Sequence, residues 1–202
     1  MNTLSPLVCV VDDDDMVCAS ICALLSAHGF ATRGFGRCDD FLSAKLECDC
    51  LILDVRLPGI SGPELQEQLA TCSFPPPIIF ISGHGTVPLA VKTIQLGALD
   101  FLQKPFDEAS LIERVNQAVG RSLEARRIRD EKSALAVRHA ALTRREKEVM
   151  DLLAEGLASK QIADRLALST RTVEQYRGSL KKKLGARSLA GVLKASEAMK
   201  ES

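Results

Sequence analysis

Polar side chains that suit phosphate chemistry stand at the ends of four apolar runs in the first half of the chain. Asp12 and Asp13 follow the first run, Asp54 ends the second, Ser82 ends the third and Lys104 follows the fourth. Three carboxylates that lie together repel one another, and a hard divalent cation such as Mg²⁺ relieves that repulsion. Beside Mg²⁺ and the Lys104 ammonium, Asp54 could attack phosphorus and form an aspartyl phosphate, with the Ser82 hydroxyl donating to a phosphoryl oxygen.

Each of these residues also has an ordinary structural explanation. Asp54 could cap the helix that follows it, Ser82 could be a turn residue and Lys104 could be a surface lysine. Asp14 and Asp15 are typical of a helix start, where the helix dipole favours negative charge. The coincidence of suitable side chains at four strand ends favours one site over four separate explanations.

A sheet of parallel strands would bring these side chains together. Short apolar runs alternate with segments of helical spacing, which indicates an α/β domain with a five-stranded parallel sheet covered on both faces. In such a doubly wound, flavodoxin-like sheet the carboxyl ends of the strands meet where the strand order reverses. The predicted strands cover residues 7–11, 30–35, 51–53, 78–81 and 99–102. A helix is predicted after each strand, and the first is expected to bury Val17, Ile21, Leu24 and Leu25.

The two parts of the chain carry opposite charge. Residues 1–120 hold 7 Lys and Arg against 15 Asp and Glu, a net charge of −8, whereas residues 121–202 hold 19 against 11, a net charge of +8. An acidic part indicates a metal or another cationic ligand, and a basic part indicates nucleic acid or another anion. We therefore predict an acidic domain over 1–120, a connector over 121–141 and a basic domain over 142–202.

All seven cysteines lie in the acidic part and are predicted to be free thiols. Their number is odd, none forms a Cys-x-x-Cys pair and most fall on apolar faces, which favours buried thiols in a reducing cytosol over a disulfide framework. The segment from Cys48 to Cys50 could bind a soft metal, but the histidines are scattered and supply no second pair of ligands. Neither a charged-then-apolar leader nor an apolar run of about 18–20 residues is present, so we expect a cytoplasmic protein.

Four segments of the acidic part resemble the receiver domain of two-component response regulators, over about residues 5–120. They are 11–14, 53–62, 82–85 and 100–106, and residues 82–91 are similar to the FixJ branch in particular. The resemblance implies that Asp54 accepts the phosphoryl group, that Ser82 and Lys104 contact the phosphate, and that Phe101 is an aromatic switch. Phe101 lacks a tyrosine hydroxyl, so the switch must act through burial of its ring. The implied metal ligands are Asp12, Asp13, Asp54 and the backbone carbonyl of Arg56.

The connector is predicted to be helical. Residues 121–141 contain no proline or glycine and no strong apolar face, and their charges alternate in sign. This composition is typical of a solvated helix that continues the fifth helix of the acidic domain, stiffer than a Gly/Ser tether. A disordered linker is the alternative.

The basic part has the sequence pattern of a helix-turn-helix. Thr143 and Glu146 form a capping box before a helix that ends near Gly156. A short helix starts at Ser159, and Ser169 caps a longer helix rich in Arg, Thr, Gln and Lys, which together predict this motif. The expected core residues are Val149, Leu152, Leu153, Ile162, Ala163, Leu166, Val173, Leu180 and Leu184, and a last helix from Ser188 adds Leu189, Val192 and Leu193.

The same part resembles the LuxR-type DNA-binding domain over about residues 140–200. The matching segments are 142–149, 156–163, 168–177 and 183–188, with Tyr176 where many members carry histidine. On the recognition helix Gln175 could read adenine and Glu174 the amino group of cytosine. Arg171 and Gly178 are expected to face the major groove beside them, although some members use a base-reading lysine in place of the glycine. The expected phosphate contacts are Lys160, Thr170, Thr172, Arg177, Lys181 and Lys182.

Together the two resemblances predict a response regulator of the NarL/FixJ family, a transcription factor and not an enzyme. A sensor histidine kinase would phosphorylate Asp54, and Ser82 and Phe101 would then move inward. A face that contains Val87, Val91, Lys92 and Ile94 would self-associate and place two recognition helices on half-sites about one DNA turn apart. The similarity to FixJ favours activation of transcription by RNA polymerase.

Two other classes of function remain open from the sequence. An aspartyl-phosphate, Mg-dependent phosphohydrolase would use the same chemistry, although enzymes that resemble haloacid dehalogenases place the nucleophile after the first strand in an Asp-x-Asp pattern. Here the nucleophile follows the third strand. An RNA-binding antitermination regulator is the other class, but those proteins carry a different helical output domain.

Overall fold

Five parallel strands form the sheet at the centre of the first part of the chain, in the order β2-β1-β3-β4-β5. β1, β3 and β4 lie inside the sheet, and their buried apolar side chains are covered on both faces, as the continuous apolar runs predict. The order reverses between β1 and β3, which places the crevice at their carboxyl ends. The strands are β1 Leu7–Val11, β2 Ala31–Phe35, β3 Cys50–Asp54, β4 Ile78–Ser82 and β5 Asp100–Gln103.

The structure, a computed structural model, describes residues 5–83, 86–186, 188 and 190–193. His84 and Gly85 of the motif after β4, and Arg187 and Leu189 near the end, lie outside the described residues. The chain divides into two compact units, unit 1 over residues 1–125 and unit 2 over residues 126–202. Within the described ranges, we find no helix that combines the length and the apolar character needed to cross a membrane.

Helices cover both faces of the sheet. α1 and α5 pack on one face, where their apolar side chains meet those of β1, β3 and β4. α2 and α3 pack on the other face around Phe41, Leu65 and Phe80. This is the predicted doubly wound α/β architecture. The helices are α1 Asp15–Ala27, α2 Cys38–Ala44, α3 Gly62–Leu69, α4 Val87–Gln95 and α5 Glu108–Ala140.

The buried face of α1 differs by one position from the prediction. Cys18 is buried together with Ile21 and Leu25, whereas Val17 and Leu24 are only partly buried. The reason is steric, since a Cβ atom at Gly34 would lie 2.6 Å from the Cys18 sulfur. The missing side chain on β2 therefore lets the small Cys18 pack directly against the sheet.

α5 is a single helix of 33 residues that extends through the range predicted as a connector. Its first part buries Leu111, Val115 and Val119 against the sheet. Beyond this part, Leu123, Ile128 and Val137 are exposed. The boundary between the two compact units falls within the helix, and the functional domain limits of 120 and 141 stay predictions.

A buried glutamine joins α3 to α4. Gln66 is 3% exposed, and its Nε2 donates to the carbonyl oxygen of Thr93 at 3.0 Å. Its Oε1 atom finds no hydrogen-bond donor among the described residues. A buried amide is therefore only half satisfied at this helix contact.

Unit 2 contains the second part of α5 and the helices α6 Arg144–Ala154, α7 Ser159–Leu166 and α8 Thr170–Leu184. Their shared core contains the predicted Val149, Ile162, Val173 and Leu180, all fully buried. The turn between α7 and α8 begins at Ala167 with a positive φ of 54° and ends at Ser169, which caps α8 by accepting from the Thr172 N–H. The last predicted helix lies partly outside the described residues, but Val192 is buried in the same core.

Candidate functional site

Two buried carboxylates share one lysine at the carboxyl ends of β1 and β3. Asp12 is 1% exposed and Asp54 is 6% exposed. The Lys104 ammonium donates to Asp12 Oδ2 at 2.6 Å and to Asp54 Oδ1 at 2.8 Å. Lys104 follows β5, and its own N–H donates to the carbonyl oxygen of Ser82 at 2.8 Å. The predicted residues from four strand ends therefore meet at one edge of the sheet.

The second oxygen of each carboxylate is held by backbone two residues further along the chain. Asp12 Oδ1 accepts from the Asp14 N–H at 3.1 Å, and Asp54 Oδ2 accepts from the Arg56 N–H at 2.6 Å. Asp14 in turn caps α1, where it accepts from the N–H groups of residues 16 and 17. The helix start and the turn after β3 thus fix the orientation of both carboxyl groups.

The charges of this cluster stabilise the ammonium form of the lysine. Burial is the largest influence on Asp12 and raises the pKa of its carboxyl group, against the hydrogen bond from Lys104. Burial alone would lower the pKa of Lys104, but its hydrogen bonds to Asp12 and Asp54 outweigh burial and raise that pKa. With both carboxylates ionised, the three groups carry one net negative charge, which an added cation would balance.

The donor atoms fit a magnesium ion in type. Carboxylate oxygens of Asp12 and Asp54, with a backbone carbonyl in the turn after β3, form the all-oxygen set that Mg²⁺ prefers. Asp13 is exposed beside them. Among the described residues no three His, Cys, Asp or Glu side chains form a cluster with metal-site geometry. The metal ligands therefore stay a prediction.

Ser82 and Phe101 lie on the two strands beyond β3. Ser82 ends β4, one residue after the partner of Asp54 in the sheet, and is 2% exposed. Phe101 on β5 is partly buried, and its ring stacks on Phe80 with centroids 6.4 Å apart and an interplanar angle of 28°. The inward movement of the ring that the predicted switch requires stays a prediction.

Gly62 holds the turn after β3 in place, a role that the sequence did not reveal. A Cβ atom there would lie 2.3 Å from the Asp54 carbonyl oxygen and 3.0 Å from Phe80 Cε1. The Gly62 N–H also donates to the Val55 carbonyl oxygen at 3.1 Å. Since the Asp54 carbonyl and the aromatic ring are both buried, only glycine fits, and the close approach fixes the backbone that carries Asp54.

Asp49 is a third buried carboxylate of unit 1, and sequence reasoning missed its structural role. It lies at the opposite end of β3, 4% exposed, and accepts from the Leu7 N–H at 2.9 Å and from the Ser122 hydroxyl at 3.0 Å. Asp49 therefore joins β1 and α5 to β3. Its cysteine neighbours, Cys48 and Cys50, are buried free thiols whose pKa values are raised.

One face of α8 in unit 2 is open to solvent. The side chains predicted to enter the major groove recur at helical spacing on this face, and Val173, Leu180 and Leu184 on the opposite face are buried. No atom lies within 4 Å of the position that a Cβ at Gly178 would take. The exposed residues of this face are Arg171, Glu174, Gln175, Gly178, Lys181 and Lys182. Exposed basic and amide side chains on one helix face suit contact with a DNA groove.

The residues predicted to bind phosphate divide into two groups. Lys160, Thr170, Lys181 and Lys182 are exposed. Thr172 and Arg177 are only partly exposed and have partners within unit 2. The Thr172 hydroxyl pairs with the Ser169 hydroxyl at 2.8 Å, and Arg177 Nη1 donates to Ser159 Oγ and, at 2.9 Å, to Glu174 Oε1. Their phosphate contacts stay predictions.

Glu146 holds α6 against α8. Its carboxylate is 4% exposed and accepts from the Thr143 N–H and hydroxyl, from Ser179 Oγ at 2.6 Å and from Lys183 Nζ at 2.7 Å. Burial by itself would raise the pKa of Glu146, but these hydrogen bonds, with that from Lys183 the largest, lower it to about 2. The predicted capping box is thus also a contact between two helices.

Comparison with known proteins finds likeness over both units. A family model of the response regulator receiver domain matches residues 8–116, and one of the bacterial regulatory proteins of the luxR family matches residues 140–194. Transcriptional regulatory protein FixJ of Azorhizobium caulinodans is 44% identical over 89% of this chain and 86% of that protein. C4-dicarboxylate transport transcriptional regulatory protein DctR of Rhodobacter capsulatus is 40% identical over 93% and 97%. The solved structure of response regulator StyR has a TM-score of 0.86 and 38% identity, over 96% of this chain and 99% of that one.

Proposed function

The chain belongs to the response regulators that join a receiver domain to a LuxR-type DNA-binding domain, and from this premise we propose that phosphorylation of Asp54 controls its DNA binding. The observation that carries the proposal is the ammonium of Lys104, within 2.8 Å of both buried carboxylates. The positive charge of Lys104 therefore lies beside Asp54, which ends the central strand β3. A new phosphoryl group on Asp54 would meet that charge.

The chemical step is a phosphoryl transfer to a carboxylate oxygen. An oxygen of Asp54 forms a bond to phosphorus, and the bond from phosphorus to the leaving group of the donor breaks. The sensor histidine kinase that the family implies, or a small phosphodonor, supplies the phosphoryl group. Lys104 and the hydroxyl of Ser82 then donate to the phosphoryl oxygens as their charge develops.

A magnesium ion would complete this site. Receiver domains generally bind Mg²⁺ at their acidic pocket, and Asp12, Asp13, Asp54 and the carbonyl of Arg56 are the residues that would hold it here. The bound ion would supply positive charge to the phosphoryl oxygens. The residual negative charge of the cluster of Asp12, Asp54 and Lys104 favours its binding.

The signal would leave the site through Ser82 and Phe101. When Ser82 bonds the phosphoryl group, the ring of Phe101 moves into the vacated space and the surface of α4 and β5 changes. On α4 the apolar side chains of Val87, Val91 and Ile94 are 78%, 48% and 42% exposed, and Lys92 lies among them. A second copy of the chain would cover these apolar side chains, so phosphorylation favours a dimer.

The dimer would bind DNA through α8. Two copies of the exposed face present two recognition helices to half-sites about one helical turn apart, which doubles the contacts of one copy. We propose that the bound dimer activates transcription by RNA polymerase. Because promoter DNA is its target, the protein would act in the cytoplasm.

Replacement of the phosphoacceptor tests this function. The variant Asp54→Asn should take up no phosphoryl group from acetyl phosphate in the presence of Mg²⁺, as followed by the gel shift of phosphorylated protein and by mass spectrometry. It should also lose the increase in DNA binding that acetyl phosphate causes in the wild type. Asp15→Asn is the matched control, since Asp15 is an exposed acid in the first turn of α1.

Two results would contradict the proposal. Full acetyl-phosphate response in Asp54→Asn would remove Asp54 from the mechanism. Rapid catalytic hydrolysis of acetyl phosphate by the wild type, with no effect on DNA binding, would favour an aspartyl-phosphate phosphohydrolase instead.

A further inference from the structure

A hydroxyl on the first helix of the helix-turn-helix holds an acid on the recognition helix. Ser159 is the first residue of α7, and its Oγ donates to Glu174 Oε1 at 2.6 Å, fifteen residues away in the chain. Arg177, one turn along α8, donates from Nη1 to the same Glu174 oxygen at 2.9 Å and also to Ser159 Oγ. Two donors, one from each helix, thus meet at one carboxylate oxygen.

The hydrogen bonds leave the other carboxylate oxygen available. Each of the described bonds to Glu174 ends on Oε1, and the Glu174 side chain is 55% exposed, against 26% for Arg177. Glu174 lies on the open face of α8, one residue before Gln175 and three after Arg171. Its Oε2 atom can therefore accept a hydrogen bond from outside the protein while Oε1 stays held.

The carboxylate is ionised in this arrangement. The hydrogen bond from Ser159 is the largest influence on the pKa of Glu174 and lowers it, and the charge of Arg177 acts in the same direction. An isolated carboxylate on a DNA-binding face would be repelled by phosphates. Its pairing with Arg177 removes most of that repulsion, so that the acid can approach a base edge.

The network would contribute little as a simple stabilising pair. Exposed ion pairs add little to folding stability, because water screens them and long side chains lose freedom. However, a Glu side chain that is already held in one position loses less conformational entropy on binding DNA than a freely rotating one would. The benefit of the arrangement is therefore expected in recognition more than in stability.

We propose that Ser159 and Arg177 are positioning residues that hold Glu174 ready to accept a hydrogen bond from the exocyclic amino group of a cytosine in the major groove. Ser159 then influences sequence preference although it touches no base. Arg177 acts through Glu174 and not through a phosphate. The inference rests on the proposed DNA binding by α8.

The test compares base preference in full-length variants. A preferred duplex is first selected from a random DNA library with the acetyl-phosphate-treated wild type, and affinities are then measured for every single-base-pair change. One bidentate or well-placed base contact gives about 5- to 150-fold discrimination. Ser159→Ala should lose most of the discrimination at one C·G pair, the same pair at which Glu174→Ala loses it. Preferences at all other pairs should stay as in the wild type.

Three further variants separate positioning from other roles. Ser159→Thr retains the hydroxyl and should restore the preference at that pair. Arg177→Met should relax the preference at the same pair, whereas loss of a phosphate contact alone would weaken binding about equally at every pair and leave that preference intact. Arg165→Met, which removes an exposed ion pair with Glu155 elsewhere in unit 2, is the control and should change neither the preference nor the overall binding.

The inference is overturned if Ser159→Ala keeps the full preference at every pair, or if it weakens binding equally at all pairs. The second pattern would indicate a structural role, which the unfolding curve from Tyr176, the single tyrosine of the chain, would also reveal. Gln175→Ala distinguishes failure of this inference from failure of the proposed function. If that variant also leaves all preferences intact, α8 is not the reading helix at all.

Discussion

The acidic site of unit 1 and the open face of α8 in unit 2 place their functional side chains in opposite environments. Asp12 and Asp54 are buried, and both accept hydrogen bonds from Lys104, which follows β5. On α8, Arg171 and Gln175 are exposed, and a separate buried face holds the helix in place. In unit 1 the residues proposed for the chemistry are also part of the buried fold, whereas in unit 2 the residues proposed to bind DNA and the core residues lie on two faces of one helix.

The difference in burial between the two sites predicts different effects of substitutions. A change in the acidic site should alter stability and phosphorylation together, since a buried charge without its partner is costly. A change on the open face of α8 should alter binding alone. Glu146 is the instructive exception, because it is a buried, fully bonded carboxylate within unit 2.

The largest effect is expected from Lys104→Met, which leaves Asp12 and Asp54 face to face without a cation. Removal of one partner from a buried ion pair costs about 3–5 kcal/mol. We expect a loss of that size in the free energy of unfolding, measured by circular dichroism in urea with a chelator present, together with loss of phosphorylation. Lys92→Met removes an exposed lysine of α4 and is the control. Equal stability of the two variants would show that the buried carboxylates do not depend on the Lys104 ammonium.

The pH dependence of stability in the variant Glu146→Gln tests whether the buried Glu146 carboxylate stabilises unit 2. The folded pKa of Glu146 is about 2, below the ordinary 4.5, so the carboxylate stabilises unit 2 above about pH 4.5 and this contribution disappears as the pH falls towards 2. The shift corresponds to about 3 kcal/mol. The wild type should therefore exceed the variant in stability by up to this amount at pH 6 and match it near pH 2, as followed by Tyr176 fluorescence in urea.

The matched control for this experiment is Glu148→Gln. Glu148 lies on the same helix and pairs with Arg144 and Arg145 on the solvent side. Screened surface pairs contribute little, so its unfolding curve should change far less. A similar pH profile for both variants would mean that burial of Glu146 has no special effect.

Gly62→Ala is expected to have the next largest effect. The added methyl group would lie 2.3 Å from the Asp54 carbonyl oxygen, and such overpacking costs about 1–3 kcal/mol. The displaced backbone should also slow phosphorylation by acetyl phosphate. Gly36→Ala, where no atom lies within 4 Å of the added Cβ, should leave the phosphorylation rate unchanged. Normal phosphorylation of Gly62→Ala would show that the turn after β3 does not position Asp54.

The smallest effect on stability is expected from Lys181→Ala and Lys182→Ala. Both lysines are exposed on α8, so the free energy of unfolding should stay within about 0.5 kcal/mol of the wild type. Each variant should instead lower the salt slope of DNA binding by about 1, as measured by titration between low and moderate salt. A clear loss of stability with unchanged binding would reverse the contrast between the units.

The sequence predicted the acidic site better than the details of the DNA-binding face. Apolar strands that end in a carboxylate, a hydroxyl or a lysine leave a visible pattern, because buried strands rarely contain polar residues. The parallel sheet and the meeting of Asp12, Asp54 and Lys104 follow from that pattern. The role of Gly62 could not be read in the same way, since a close approach between the turn and the Asp54 carbonyl depends on three-dimensional packing.

In unit 2 the helices and their core were predictable from spacing, but the partners of exposed side chains were not. Ser159 and Glu174 lie fifteen residues apart, and only the turn between α7 and α8 brings them together. The extent of α5 was predictable in contrast, since residues 121–141 contain no proline or glycine, and the helix continues through this range to Ala140 as predicted.

The half-satisfied amide of Gln66 has a consequence for how easily unit 1 rearranges. Within the described part of the chain no donor reaches Gln66 Oε1, and a buried acceptor without a donor costs about 1–3 kcal/mol, so the contact between α3 and Thr93 on α4 is less favourable than its burial suggests. A displacement of α4 that let a donor reach this oxygen would recover part of that cost. The unpaired oxygen of Gln66 therefore slightly disfavours the observed position of α4.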